Sequence, residues 1–170
     1  MWQRKNNSGR KLSVPVDTAL LRSKAAGYCA LSEHCPSEVS EKLFAWGADS
    51  SQAEEVVDWL IDENFISEER YCHAFVGDKI RFQGWGKDKI RMALSQKRLP
   101  QLLIREALDD FPEEEYLEKL KDVFSQKARS LSEDDPQVWK AKMFRFLASR
   151  GFSFSDISKV LSDISEDSLE

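Results

Sequence analysis

The residues of this chain that could do chemistry include a Gly-Trp-Gly turn. Gly84-Trp85-Gly86 could form a phosphate-binding loop. The dinucleotide-binding pattern, however, needs a third glycine where Lys89 stands, and no Gly-Lys-Ser/Thr follows for a P-loop. The alternative is a flexible break before a helix that begins near Lys87. The spacing argues against a nucleotide site.

Two adjacent His/Cys pairs, His34-Cys35 and Cys72-His73, could ligate zinc. Neighbouring helical residues point about 100° apart, so adjacent ligands chelate one ion poorly, and no Cys-x-x-Cys occurs. The serines and cysteines also lack the paired base, nucleophile elbow or glycine-rich turn of a catalytic site. The sequence therefore predicts buried thiols with exposed or half-buried histidines, no metal, no cofactor and no enzymatic activity.

Positive charge is concentrated in the middle of a chain whose net charge is −5. Residues 70–105 contain nine Lys/Arg and two Asp, whereas residues 33–69 and 106–136 each contain eleven acids. A basic centre between acidic flanks can meet an anionic partner or pair with its own neighbours. The size of the excess favours a binding role. We call the following seven cations the middle basic surface: Lys79, Arg81, Lys87, Lys89, Arg91, Lys97 and Arg98.

Lys97 and Trp85 could each either pack on the core or contact a partner. Lys97 falls on the apolar face of its predicted helix, so we expect its stem to pack and its ammonium to reach solvent. Trp85 could stack on a partner or a base, or it could cover the core, and core cover is the favoured interpretation.

An internal repeat of about fifty residues is the most informative feature of the sequence. With Gly47, Arg98 and Gly151 as equivalent anchors, the copies lie 51 and 53 residues apart. Apolar residues recur at offsets −8, −4, +1, +6, +9 and +10, which predicts two amphipathic helices joined by a short turn. The recurring residues are Val39, Ile90 and Met143; Leu43, Leu94 and Leu147; Ala48, Leu99 and Phe152; Ala53, Ile104 and Ile157; Val56-Val57, Ala107-Leu108 and Val160-Leu161.

Helix-start and helix-stop residues complete the repeat. Gly47 and Gly151 are expected to end helices in the left-handed conformation. Asp49, Ser153, Ser37 and Ser67 are expected to cap helices, and Pro100 begins one. The predicted helices are 20–34, 38–46 and 50–64 in the first copy; 67–82, 87–97 and 101–110 in the second; and 113–131, 137–149 and 154–164 in the third.

The pattern predicts an all-α fold of three tandem three-helix-bundle repeats in an elongated or curved modular arrangement. The expected divisions are a flexible basic arm at 1–18, repeats at 19–65, 66–111 (basic) and 112–164, and a frayed tail at 165–170. No apolar run approaches the ~20 residues of a membrane span, and no apolar segment follows the polar start as a secretory signal would require. Three cysteines without framework spacing indicate reduced thiols in a cytoplasmic protein, and a monomer is expected.

Three motifs resemble the RecX family. Residues 26–31 and 36–39 resemble its opening helix and second-helix entry. Residues 65–76, FISEERYCHAFV, are similar to its Leu-Asp-Asp-x-Arg-Tyr-Ala-x-x-Phe-Val motif. Residues 84–99 resemble its Gly-x-Gly-x-x-Arg-Ile-x-x-x-Leu-x-x-Lys-Gly-Ile motif, and the resemblance extends over residues 20–164. Ser67 and Glu68 replace the paired aspartates, Cys72 replaces an alanine, and Arg98 stands where the family has glycine.

The resemblance implies a regulator that binds the RecA recombinase in the groove of its DNA filament. Such a protein blocks filament extension or promotes disassembly, and so suppresses ATP hydrolysis, strand exchange and the co-protease activity behind the SOS response. The middle basic surface would face RecA or DNA, with single- or double-stranded DNA as a weak further partner. Two alternatives stay open: a sequence-specific helix-turn-helix DNA-binding regulator, and a helical-repeat adaptor for peptides.

Overall fold

The computed structural model describes residues 16–167, with side chains described for residues 16–162. Within that range every regular element is a helix, and each predicted helix is present. The elements are α1 (Thr18–Cys29), α2 (Pro36–Ala45), α3 (Ser50–Asp62), α4 (Glu68–Gln83), α5 (Lys87–Gln96), α6 (Gln101–Asp109), α7 (Glu113–Ser130), α8 (Pro136–Ser149) and α9 (Phe154–Asp167).

The recurring apolar positions form the core, as the repeat predicts. At offsets −8 and −4 all six side chains are completely buried, because the second helix of each repeat turns this face towards the other two helices. Of the remaining recurring residues, only Ala48 and Leu161 are partly exposed. The first repeat has its own core cluster, whereas the second and third repeats share one. The three-helix repeat fold is therefore confirmed.

The three anchors adopt the same left-handed turn. Gly47, Arg98 and Gly151 have φ values of 93°, 64° and 88°. In each copy the amide of the next residue donates to the carbonyl four residues before the anchor, which is the Schellman arrangement that satisfies the last carbonyls of a helix. One periodic turn thus ends α2, α5 and α8, and two of its three copies use glycine.

Arg98 occupies this turn at a conformational cost, because a Cβ disfavours positive φ. We expect Arg98→Gly to raise the free energy of unfolding by about 1 kcal/mol, measured by urea denaturation. Arg105→Gly is the matched control, because it makes the same substitution at an exposed position inside α6. The control should lower the free energy of unfolding by about 1 kcal/mol. A loss of stability in Arg98→Gly would contradict the conformational argument.

Three of the predicted N-caps are confirmed and one is wrong. Asp49, Ser67 and Ser153 each accept a hydrogen bond from the amide three residues ahead. Ser37 does not cap α2, because the helix begins at Pro36, two residues before its predicted start at residue 38, and Ser37 lies inside it. Pro36 has no amide hydrogen, so it removes one of the unsatisfied donors at this helix start, where no side-chain cap is present.

Helix α1 ends at Cys29, five residues before the predicted end. Beyond the helix end, the chain places the ring of His34 against Tyr28, and the two rings stack with 3.9 Å between their centroids. The same imidazole reaches Glu38 on α2 through Nδ1, at 3.2 Å. These side-chain contacts replace the last predicted turn of helix.

The second and third repeats dock through backbone at two glycines. The Gly86 amide donates to the Arg150 carbonyl at 2.8 Å, and the Asp88 amide donates to the Gly151 carbonyl at 3.0 Å. A Cβ on Gly86 would lie 2.2 Å from Gly151 and Phe152 backbone atoms. The interpretation of this Gly-Trp-Gly turn as a flexible break is therefore wrong. Gly84 ends α4 in the left-handed conformation, and Gly86 permits close contact between repeats.

At the C-terminal end, α9 continues to Asp167, three residues beyond the predicted helix end. The remaining tail residues 168–170, and residues 1–15 of the expected basic arm, lie outside the described residues. Thr18, the last residue of the expected arm, is the first of α1. None of the helices in the described part of the chain is both long and apolar enough to cross a membrane.

Candidate interaction surface

The middle basic surface lies on the second repeat. Lys79 and Arg81 are in the last turns of α4, Lys87, Lys89 and Arg91 are on α5, and Lys97 and Arg98 form the turn after it. The left-handed Gly84 reverses the chain between α4 and α5, which brings the end of one helix beside the start of the next. The repeat geometry thus gathers cations from three consecutive segments.

Four of the seven cations pair with carboxylates of the same chain. The pairs of Arg81, Lys87 and Arg91 lie at the surface, where such pairs contribute about 0–1 kcal/mol each, so they can be exchanged for an external anion at small cost. Their separations are 2.6 Å for Arg81–Glu115, 3.0 Å for Lys87–Glu113, 2.6 Å for Arg91–Asp88 and 2.6 Å for Lys97–Glu38.

Lys79, Lys89 and Arg98 have no carboxylate within 4.0 Å among the side chains that the structure describes. The two lysines instead lie near the Trp85 ring, with Nζ 4.9 Å and 4.4 Å from its centroid. The half-buried Trp85 also packs against the shared core. Cation–π contacts do not use up the hydrogen-bond donors of the two ammonium groups, which stay available to a partner. These three cations are the most available part of the middle basic surface.

Lys97 differs from its sequence-based expectation. Its ammonium does not project freely into solvent but donates to Glu38 Oε1 at 2.6 Å, across the junction between the first and second repeats. Burial alone would lower the pKa of Lys97, but the hydrogen bond to Glu38 and the nearby negative charge, chiefly that of Glu38, together outweigh burial and raise it. The physical reason is that α2 brings a carboxylate to the point where the lysine stem emerges, which the separate helical patterns cannot show.

Glu38 is the centre of this junction. Its Oε1 also accepts a hydrogen bond from the Tyr71 hydroxyl at 2.7 Å, and its Oε2 lies 3.2 Å from His34 Nδ1. Burial alone would raise the pKa of Glu38, but the hydrogen bonds from Lys97, Tyr71 and His34 hold it below its usual value. We call Glu38, Lys97, Tyr71 and His34 the junction network. It joins residues 34–38 of the first repeat to α4 and the end of α5.

Other polar contacts reinforce the same junction. The Ser37 hydroxyl donates to the Lys97 carbonyl at 3.3 Å, so this serine joins repeats instead of capping α2. Arg70 Nε donates to Glu33 at 2.9 Å, and another guanidinium nitrogen donates to the Asn64 side chain at 2.7 Å. The first repeat is therefore joined to the second largely by polar side chains, whereas the second and third share an apolar core.

The cysteines and histidines do not form a reactive site among the described residues. All three thiols are free and buried, and burial raises the pKa of the Cys72 thiol to about 11. A thiol with such a pKa stays protonated near neutral pH and is a poor nucleophile. No group of three or more potential His, Cys, Asp or Glu metal ligands occurs within the described chain. His73 instead bonds to Asp110, and this hydrogen bond raises the His73 pKa.

The residues that sequence reasoning missed are the ones that join repeats. Glu38 belongs to an acidic segment and has no spacing relationship to Lys97 or Tyr71. Gly86 gave a signal, because glycine before a helix marks either flexibility or a close approach. Its docking partner Gly151 was identified only as the end of α8. Each joining contact involves two repeats, so within-repeat periodicity cannot reveal it.

Sequence comparisons identify relatives for most of the chain. The family model described as "RecX, second three-helix domain" matches residues 67–108, and "RecX, third three-helix domain" matches residues 113–161. A Regulatory protein RecX from Pseudomonas putida (strain GB-1) is 34% identical over 155 residues, which cover 89% of this chain and 96% of the relative. A second, from Vibrio campbellii, is 31% identical over 160 residues, covering 93% and 99%.

Solved structures support the fold. The chain is similar to the crystal structure of RecX from Lactobacillus salivarius, with a TM-score of 0.76, 21% identity, and coverage of 87% of this chain and 96% of that one. A further crystal structure of regulatory protein RecX gives a TM-score of 0.78 at 22% identity, covering 85% and 73%. At these identities, the structural similarity is evidence for a shared arrangement of helices.

Proposed function

Because the chain belongs to the RecX family of regulatory proteins, we propose that it binds RecA and the RecA–DNA filament and inhibits RecA. The activities lowered are ATP hydrolysis, strand exchange and co-protease function, so the protein modulates recombinational repair and the SOS response. It acts by binding, without catalysis of its own, as a cytoplasmic monomer. The middle basic surface supplies the contacts to RecA or to the DNA within the filament.

The observation that carries this proposal is the arrangement of Lys79 and Lys89 around Trp85. Both ammonium groups lie within 5 Å of the ring centroid, and neither has a carboxylate partner among the described side chains. An aromatic ring flanked by two unneutralised cations suits a partner with carboxylates or phosphates next to an apolar group. The paired cations Arg81, Lys87 and Arg91 surround it and can change partners on binding.

Arg98 provides a second reason to assign binding to this repeat. Its positive φ costs stability that glycine would recover, and its guanidinium has no carboxylate within 4.0 Å among the described side chains. Strain kept without a compensating contact is typical of functional positions. We therefore include Arg98 with Lys79 and Lys89 as the cations expected to contribute most to binding.

The test is inhibition of RecA ATPase on single-stranded DNA, titrated with the wild-type protein and with Lys79→Glu/Lys89→Glu. We expect the concentration needed for half inhibition to rise at least about 10-fold, equivalent to about 1.4 kcal/mol, because reversed charges would oppose an anionic partner. Circular dichroism should show an unchanged helical content, since both side chains reach the surface.

Lys24→Glu/Lys42→Glu is the matched control. These lysines of the first repeat also lie over aromatic rings, at 4.7 Å from Trp46 and 5.5 Å from Tyr28, and the change in net charge is identical. The control should inhibit RecA within about twofold of wild type if the effect is local. If both double variants lose RecA inhibition equally, the middle basic surface is not the site that contacts RecA or DNA. If the wild-type protein does not inhibit RecA but binds one duplex sequence tightly, the result would favour the helix-turn-helix regulator instead.

A further inference from the structure

A basic groove outside the middle basic surface lies between the second and third repeats. It has a volume of about 550 Å³ and is bordered by the end of α4, by α7 and by the end of α8. Its side chains include the cations Lys119, Lys127 and Arg150 and the rings of Phe82 and Phe146, and no carboxylate lines it. We call it the α7–α8 groove.

The cations of this groove form no ion pairs with the side chains that the structure describes. Among the side chains of residues 16–162, none of the three has a carboxylate within 4.0 Å. Glu115, one helical turn before Lys119, is engaged by Arg81 at 2.6 Å. The groove therefore keeps an excess of positive charge in a protein that is acidic overall, and a concave cationic surface attracts anions.

Aromatic contacts hold two of the cations in place. Lys127 Nζ and Arg150 Cζ lie 5.0 Å and 5.4 Å from the Phe146 ring centroid. Arg150 also donates through one guanidinium nitrogen to the Gln83 carbonyl at 2.9 Å. Arg150 uses only part of its five-donor guanidinium in that bond, so further donors are available to a ligand.

The groove continues along α8 into a second hollow. Lys127 and Phe146 line both, and the continuation adds Lys142 and Arg145. Lys142 pairs with Glu133, whereas Arg145 has no carboxylate within 4.0 Å in the described part of the chain. The positive charge thus follows a path, which suits an extended polyanion better than a single small anion.

Phe82 determines which polyanion fits best. Its ring is 80% exposed at the edge of the groove, although large apolar side chains ordinarily gain by burial. An unpaired base can stack on such a ring while the neighbouring phosphates contact lysine and arginine. In a duplex the base faces are already stacked, so the ring would have no equivalent partner. An acidic polypeptide would satisfy the cations but offers no regular series of flat rings.

We propose that the α7–α8 groove binds single-stranded nucleic acid. Lys119, Lys127 and Arg150 bind backbone phosphates, and Phe82 provides the stacking surface for one base. The same turn carries Arg150 into the groove and presses Gly151 against Lys89, so the groove adjoins the middle basic surface without sharing its cations. The proposal requires no RecA and stands independently of the proposed function.

The test is fluorescence anisotropy of labelled oligothymidylate with the purified full chain, without RecA. Lys119→Glu/Lys127→Glu should weaken binding at least about 10-fold and reduce the slope of log affinity against log salt by about 0.7 for each lost phosphate contact. Lys140→Glu/Lys159→Glu is the matched control, with the same charge change at two exposed lysines that do not line the groove. It should stay within about twofold of wild type at moderate salt.

Phe82→Leu tests the base contact separately, because it keeps an apolar side chain and removes the ring. The expected loss is about 5-fold or more. Equal weakening by both double variants, an unchanged Phe82→Leu, or no binding by wild type would each overturn the proposal. Binding of polyglutamate in place of oligothymidylate would assign the groove to an acidic protein and would also overturn it. Oligothymidylate binding by a protein that leaves RecA unaffected would refute the proposed function alone.

Discussion

Gly86→Ala is expected to lower the free energy of unfolding by about 3 kcal/mol, and to separate the second and third repeats. The added Cβ would lie 2.2 Å from the carbonyl group of Gly151 and from the Phe152 amide nitrogen. These are backbone atoms, so no flexible side chain can move aside. The φ of Gly86 is −80°, which alanine adopts readily, so the cost is steric and comes from the neighbouring repeat.

Urea denaturation followed by circular dichroism measures this effect, with Gly27→Ala as the matched control. Gly27 lies inside α1, and a Cβ there would meet nothing within 4 Å. The free energy of unfolding of the Gly27→Ala control should therefore rise by about 0.5–1 kcal/mol, because alanine favours the helix. A Gly86→Ala protein as stable as the wild type would show that the two repeats are not held in backbone contact.

Glu38→Gln is expected to lower the free energy of unfolding by about 1–2 kcal/mol at neutral pH, because the acceptor shared by Lys97 and Tyr71 loses its negative charge and the lysine loses its ion-pair partner. Lys97 and Tyr71 both donate to the same carboxylate oxygen, at 2.6 Å and 2.7 Å. The glutamine keeps an oxygen acceptor of similar size, so little steric change accompanies the loss of charge. The variant therefore measures what the ionised carboxylate contributes to the junction network.

The same substitution should reduce the pH dependence of stability. The hydrogen bonds hold the pKa of Glu38 in the folded state below its usual value. Ionisation of Glu38 therefore stabilises the folded state relative to the unfolded state. Its contribution is fully present above the unfolded-state pKa of about 4.3 and is lost as pH falls through the folded-state pKa. Between pH 7 and about pH 3, the wild type should lose more stability than Glu38→Gln.

Glu54→Gln on the exposed face of α3 serves as the control for this measurement. It removes one carboxylate without touching the junction, so its stability should follow the wild-type pH dependence. The Glu115 and Glu133 carboxyls, whose pKa values are also lowered by ion pairs, are present in all three proteins and cancel in the comparison. Parallel pH profiles for wild type and Glu38→Gln would exclude the junction network as an acid-sensitive contact.

The candidate surface was only partly predictable from sequence. The charge of residues 70–105 identifies the second repeat, and Trp85 was correctly expected to cover the core. Whether a cation is neutralised depends on carboxylates far away in sequence, as Lys97 and Glu38 show at a separation of 59 residues. The charge of each segment does not reveal the α7–α8 groove. Lys119 and Lys127 lie in residues 106–136, which contain eleven acids and four bases, and Arg150 lies in residues 137–170, which contain five of each.

By itself, the sequence determined the helices, their buried faces and the periodic turn between them. Leu43, Leu94 and Leu147 are buried at equivalent positions because apolar spacing and a left-handed turn act within a few residues, where chain geometry limits the choices. The tertiary structure alone decided how repeats join and which cations stay available. Those outcomes depend on contacts such as Gly86 with Gly151 and Lys97 with Glu38, where residues distant in sequence meet only after each repeat has folded.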